Sequence, residues 1–323
     1  MNFYQRPLFF VALVATAAIS INSYADALHS QAKAIFGVLP TAMPGAENDT
    51  PEMIQLGRAL YFDKRLSVND SQSCNTCHDV ENNGPGVDNK RVSPGAIKGK
   101  EGTRNSPTVW NAGFQISQFW DGRAKDLKDQ AKGPILNPVE MAMPSEQAVV
   151  DKIAATTDYP LLFQSAFKTD NAINYDNLAH AIAAFERTLI TRDRFDEYLK
   201  GDQDALSAQE KKGLRTFINT GCIACHSGPM LGGNMLQKLG LVNAYHNQID
   251  QGLYEQSKLD SDRMRFKTAM LRDVGRTAPY YHDGSVETLE EAVRQMAWLQ
   301  LGKKLDDQSI DAISAFLRSL NHQ

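Results

Sequence analysis

The stretch SQSCNTCHDV, residues 71–80, sets two cysteines two residues apart and a histidine directly after the second, and the pattern returns in GCIACHSG, residues 221–228. All four cysteines of the chain, Cys74, Cys77, Cys222 and Cys225, lie in these two motifs. A closed zinc site takes four ligands near in space, usually with short loops between pairs. Here the pairs are far apart, and each carries its own histidine. A dithiol switch or a short disulfide uses the thiols but leaves His78 and His226 without a reason.

Attachment of c-type haem uses every position. The two thiols add to the two vinyl groups of one porphyrin, and the adjacent imidazole falls under the iron. The pattern therefore predicts two haems, one on Cys74, Cys77 and His78, the other on Cys222, Cys225 and His226.

The N-terminus agrees with this chemistry, which takes place after export. MNFYQRP precedes an apolar run at residues 8–21, and Ser23 and Ala25 supply the small residues of a peptidase site. The expectation is a signal peptide, residues 1–25, cleaved near Ala25, and a periplasmic protein. The alternative, a membrane anchor, needs roughly 20 apolar residues, more than this run offers. No other stretch is apolar enough to span a membrane. With 323 residues the chain is long enough for two cores. A net charge of −4 without a basic stripe speaks against nucleic acid as a partner.

Helical patterns dominate. Thr50 and Pro51 read as an N-cap and a first helical residue. Leu178, Ile182, Phe185 and Leu189 share one helical face, as do Leu289, Val293 and Met296, and Ile310, Ile313, Leu317 and Leu320. Ser207 and Glu210 form a capping box. Alternating strand patterns are absent. QFWDGRAKDLKDQA, from Gln118, resembles YYHDGSVETLEEAV, from Tyr280. The expectation is an all-α chain of two cytochrome c-like haem domains, 26–190 and 191–323, with the last helix packing back on the first domain.

The segment from Arg104 to Met141, with FWDGRA and NPVEM, and the segment APYYHDG (278–284) followed by Met296, are similar to the bacterial dihaem cytochrome c peroxidases, a family related to the dihaem tryptophan-modifying enzymes of methylamine utilisation. The resemblance implies reduction of hydrogen peroxide to water with electrons from a small soluble cytochrome c or copper protein. It gives Glu140 the role of catalytic carboxylate, Gln130 that of a distal hydrogen-bonding partner, and Trp120 a place between the haems. Met296 becomes the sixth ligand of an electron-accepting C-terminal haem. A thioether favours ferrous iron and raises the potential. Asn105, Thr277 and Pro279 match positions that hold calcium between the domains, and many members are homodimers. Without the resemblance, Glu140 reads as a loop carboxylate, Gln130 as a helix-surface residue, and Trp120 and Met296 as core. His282 matches a histidine near the haem edge or is structural. His29, His180, His246 and His322 are expected to face solvent.

One departure stands out. Many members cap the resting peroxidatic iron with a second histidine in the loop after the first motif. Here that loop is VSPGAIKGKEGTRN (92–105), Ala96 takes the place, and no histidine lies between His78 and His180. The expectation is an open first haem that needs no reductive activation, with Lys98, Lys100, Met141 or Met143 as alternative caps. Two other functions fit the motifs: an oxidase that modifies a partner protein, and a dihaem electron carrier. The first of these places tyrosine where Met296 stands; the second has no use for Glu140 and Gln130.

Overall fold

The computed structural model describes residues 27–322, so the expected leader lies outside the described residues. In chain order the helices are α1 (residues 27–36), α2 (Pro51–Phe62), α3 (Cys74–Cys77), α4 (Leu127–Leu136), α5 (Glu146–Ala154) and α6 (Tyr159–Phe167). There follow α7 (Tyr175–Glu186), α8 (Arg194–Lys200), α9 (Ala208–Thr220), α10 (Tyr254–Ser257), α11 (Leu289–Leu301) and α12 (Asp307–Arg318). The fold is mostly helical. A pair of three-residue antiparallel strands, Leu236–Lys238 and Arg265–Lys267, was not expected; three residues are too few for alternation to show in a sequence.

The caps are where the side-chain chemistry puts them. The Thr50 hydroxyl accepts from Met53 N at 3.2 Å ahead of Pro51, which satisfies one orphan N–H at the start of α2. Ser207 and Glu210 cap α9 reciprocally. On α7, Leu178, Ile182 and Phe185 are buried together, while Leu189 is buried beyond the helix end.

Two large cores result. Leu56, Leu60, Leu178, Ile182 and Phe185 centre the first; Phe195, Leu214, Phe217, Ile313 and Phe316 centre the second. Leu28, Ala32 and Phe36 of α1 pack into the second core although they precede the first motif. The sequence division, which gave residues 26–190 to the first domain, therefore differs from the packing at its N-terminal end. The last helix, α12, also packs in the second core rather than on the first. His322, just beyond it, reaches the first unit, its ring 5.1 Å from that of Trp110.

The two units repeat one plan. α2 crosses α7 at Gly57, where a Cβ would sit 1.8 Å from the Ala181 carbonyl oxygen; α9 crosses α12 at Gly213, where a Cβ would sit 1.8 Å from that of Ala312. Only glycine permits either approach. In both crossings a phenylalanine, Phe185 or Phe316, lies beside the glycine. The Trp-Asp-Gly and His-Asp-Gly segments make matching bridges, Gln118 with Ala124 and Tyr280 with Val286. Phe119 and Tyr281 both take positive φ, and α4 and α11 begin at matching leucines, Leu127 and Leu289.

Candidate active site

Each cysteine pair sits on a single tight turn. Cys74–Cys77 form α3, opened by Ser73 N donating to Thr76 Oγ1 at 2.9 Å and closed by His78 N on Cys74 O at 2.9 Å. Residues 222–224 form a 3-10 turn, closed by His226 N on Cys222 O at 3.0 Å. All four thiols are free, and the pairs line different cavities, of about 300 Å³ and 240 Å³. A four-thiol zinc site cannot form across that separation. Among the described residues no group of three or more His, Cys, Asp or Glu side chains is placed to hold a metal.

The donor set suits a c-type haem in each cavity. His78 Nδ1 lies 3.4 Å from Gly86 O, and His226 Nδ1 lies 3.0 Å from Leu231 O. A carbonyl that takes the Nδ1 proton orients the ring and leaves Nε2 as the ligating nitrogen. Burial lowers the pKa of both imidazoles, which keeps them neutral and able to ligate.

In the first cavity His78 and the two thiols share the wall with Gln130, Glu140 and Trp120. The backbone explains how Glu140 gets there. Pro134 has no N–H to give to the turn before it, and α4 stops at Leu136, just ahead of Asn137 and Pro138. The chain then folds back, with Met141 N on Pro134 O (3.2 Å) and Ala142 N on Asn137 O (3.0 Å). Glu140 Oε1 accepts from Asn137 Nδ2 at 3.0 Å, while burial raises the carboxyl above its usual range against the pull of Arg123. Gln130 lines the same wall from α4, one turn before Pro134.

Ala96 is buried, and its N–H donates to Glu140 O at 2.7 Å. Its loop is folded on itself by Gly95 N on Lys100 O and Gly102 N on Ser93 O, both 2.8 Å. Of the four alternative caps, Lys98 and Lys100 are exposed, Met143 is buried away from the cavity, and Met141 lines it. His78 is the sole histidine lining this cavity among the described residues.

The second cavity brings together His226 and Met296, which α11 supplies from far along the chain. Trp120 lines both cavities, and its Nε1 donates to Asn105 O at 2.8 Å. Around it the two units are tied by charge: the Arg104 guanidinium lies 2.7 Å from Asp121 and 2.6 Å from Asp250. Lys267, which the sequence did not single out, is buried beside them and donates Nζ to Ser117 O at 2.7 Å; burial lowers its pKa to about 7.

Asn105, Thr277 and Pro279 all line the second cavity. The Asn105 amide nitrogen donates to Lys90 O at 2.8 Å. His282 is buried, stacked on Phe266 at 4.2 Å and 6.5 Å from Trp120. His322 corrects an expectation: it does not face solvent, and its Nδ1 lies 2.6 Å from the buried Asp273 carboxylate. His29 and His180 are half-buried against Tyr198 and Phe167, so they too depart from the expected exposure, whereas His246 is exposed. A histidine's ring is amphipathic, and position alone does not say which side of it a fold will use.

Sequence reasoning also passed over Glu186, a buried carboxyl on the wall of the first cavity. The signal was there: AFERTL (184–189) repeats as AFLRSL (315–320), with glutamate replacing leucine.

The family model described as di-haem cytochrome c peroxidase matches residues 51–204. The chain is 45% identical to a cytochrome c551 peroxidase of Pseudomonas aeruginosa over 305 residues, which covers 92% of this chain and 87% of that one. It is 41% identical to a cytochrome c551 peroxidase of Nitrosomonas europaea, covering 84% and 81%. It is also 36% identical to the methylamine utilization protein MauG of Methylorubrum extorquens, covering 76% and 69%. Among solved structures, a MauG-like protein associated with microbial copper homeostasis superposes with a TM-score of 0.77 at 27% identity, covering 88% of this chain and 94% of that one.

Proposed function

Because this chain belongs to the di-haem cytochrome c peroxidase family, an enzyme family with two c-type haems, we propose that it reduces hydrogen peroxide to water in the periplasm, with its first cavity as the peroxide site. The electron donor in this reading is a small soluble cytochrome c or copper protein. Electrons enter at the second cavity and cross beside Trp120. The observation that carries the reading is the difference between the cavities: Glu140 and Gln130 line the first, Met296 the second.

The bound haem supplies an iron that takes peroxide and exchanges single electrons. The protein's share is proton handling and positioning. The Glu140 carboxylate accepts the proton of one peroxide oxygen and returns it to the other, which then leaves as water. Asn137 holds that carboxyl by its Oε1. The Gln130 amide orients the oxidant by hydrogen bonding. Met296 gives the second haem a thioether, which favours the reduced state, and Trp120 fills the space between the cavities with an aromatic ring. Asn105, Thr277 and Pro279 hold a calcium ion at the junction in this reading, through the Asn105 side-chain oxygen and two carbonyls. Carbonyl oxygens are suitable calcium ligands.

A first haem that is open in the resting enzyme is supported by a cavity wall whose sole histidine among the described residues is His78, with Ala96 at the loop position where many members carry a capping histidine. Electron paramagnetic resonance of the fully ferric protein tests this. A high-spin signal from one haem is expected; two low-spin haems would refute it and point to Met141 as a cap. Peroxide turnover with a reduced cytochrome, measured on ferric and half-reduced protein, tests the activity itself. A protein that leaves peroxide untouched is an electron carrier. Met296 separates the present reading from the protein-modifying oxidases, in which tyrosine stands at that place.

A further inference from the structure

Glu186 is the last residue of α7, 5% exposed, and its Oε2 has no hydrogen-bond partner. It lines the first cavity together with Cys74, His78 and Glu140. Its counterpart in the second unit is Leu317, which is buried and lines the second cavity in the same way. The equivalence is close: Ile182 and Ile313, one turn earlier, also line the two cavities, and Arg187 and Arg318 follow. Leucine thus fills this space without loss of fold. A carboxyl without a partner costs stability there. Packing does not explain it, and Glu140 already serves the transfer between peroxide oxygens.

Reduction of one peroxide consumes two electrons and two protons and yields two waters. We propose that Glu186 is the proton-holding residue of the first haem pocket, taking up one proton as that haem gains an electron and releasing it as the haem loses one. The charges balance: one electron added to the haem and one proton added to the carboxylate leave the pocket with no net change. The electron comes from the donor by way of the second haem, and the proton from solvent. In the second unit Leu317, at the corresponding place, can hold no proton; Lys267 also lines that cavity, but it is a cation that donates Nζ to Ser117 O.

The surroundings suit this role. Burial raises the Glu186 pKa to about 8, so the carboxyl is poised to change protonation near neutral pH. Arg187, which pulls the carboxyl the other way, is itself engaged by Asp49 in a bidentate pair at 2.5 Å. From α2, Tyr61 donates its hydroxyl to His78 O at 2.7 Å and is held neutral by burial, and Arg58 stacks on Phe185. Cys74 of α3 becomes an uncharged thioether. Lys128 and Lys132 of α4 are engaged with Asp176 at the opposite end of α7, and Glu146 of α5 is exposed. Across the cavity stand Glu140 and Arg123.

The proposal rests on the two-haem assignment but is tested without peroxide. The potential of each haem is titrated spectroscopically in the complete protein between pH 5 and 9. For the first haem a fall of up to about 59 mV per pH unit is expected, the one-electron equivalent of a tenfold change; for the second, a smaller or flat dependence. Glu186→Gln should flatten the first haem and leave the second as it was. If the glutamine variant does not fold, Glu186→Leu places there the residue the second unit carries. An unchanged slope in either variant, or a flat first haem in the unsubstituted protein, overturns the proposal. Loss of peroxide turnover with the slope intact would instead refute the peroxidase reading and leave this one standing.

Discussion

The two helical units, each carrying one Cys-x-x-Cys-His turn, share a scaffold and differ at a few positions, and in the proposed reading those positions divide the chemistry. α4 and α11 start at matching leucines behind matching bridges. Carried along that register, Met296 corresponds to Pro134 and Gln130 to Ala292. In α11 the helix runs on to Leu301 and holds Met296 within it. In α4 the proline stands there, the helix ends two residues later, and the returning chain delivers Glu140. The proline leaves no thioether at that place, and the broken helix it belongs to brings a carboxyl to the cavity. The lesson is that one scaffold can give two differently lined cavities, by a different course of the helix that faces each of them.

The sharpest break of this comparison is chemical. Glu140→Gln should lower kcat/KM for peroxide by about 10²–10⁴, the usual worth of a positioned acid–base group. It should leave the absorption spectrum of the second haem untouched. Stopped-flow turnover with both spectra recorded checks this; a loss below tenfold would remove Glu140 from the proton path.

Next in size, Met296→Leu should abolish the low-spin signal of the second haem and lower its potential by an amount on the order of 0.1 V, within the roughly 0.8 V that axial ligation spans. Pro134→Leu should change no ligand. Spectroelectrochemistry of each haem decides whether thioether ligation belongs to one unit alone.

The glycine crossings test the shared scaffold. Gly57→Ala and Gly213→Ala each drive a Cβ against a carbonyl oxygen and should each destabilise by about 1–3 kcal/mol, the usual penalty of overpacking. Urea unfolding followed at each haem reads the two units separately. Similar losses are expected; a large loss in one unit only would mean that the crossings are not equivalent.

The smallest effect concerns pH. Glu140 must be ionised to accept a proton, and burial raises its pKa. Turnover should therefore fall as pH drops through a value above the ordinary 4.5 of a glutamate. Asn137→Ala removes a hydrogen bond that favours the ionised form, so it should move that acid limb further upward. A pH–rate profile of both proteins checks the direction.

Much of this was legible beforehand. The haem attachment residues are contiguous in the chain, because a single turn must span two vinyl groups; local spacing therefore announces them. Thr50, Ser207 and Glu210 declare their helix ends for the same reason: a cap acts within three residues. Glu140, Gln130, Trp120 and Met296 were assigned only through resemblance, since each alone reads as an ordinary loop, surface or core residue. The burial of His322 against Asp273, the docking of α1 in the second core, and the facing of Glu186 into the first cavity depend on contacts between distant segments. No local pattern encodes those, although the repeat of AFERTL as AFLRSL marks Glu186 as a position at which the two units differ.

The sequence by itself determined what is covalent and local: two haem anchors, their histidines, the capped helices, and the absence of a second histidine in the loop at Ala96. Tertiary structure decided what each haem meets. Met296 and His226 line one cavity, Trp120 borders both, and Glu186 stands in the first cavity where Leu317 stands in the second. Those meetings arise from packing across long stretches of chain, which the order of residues specifies only through the fold as a whole.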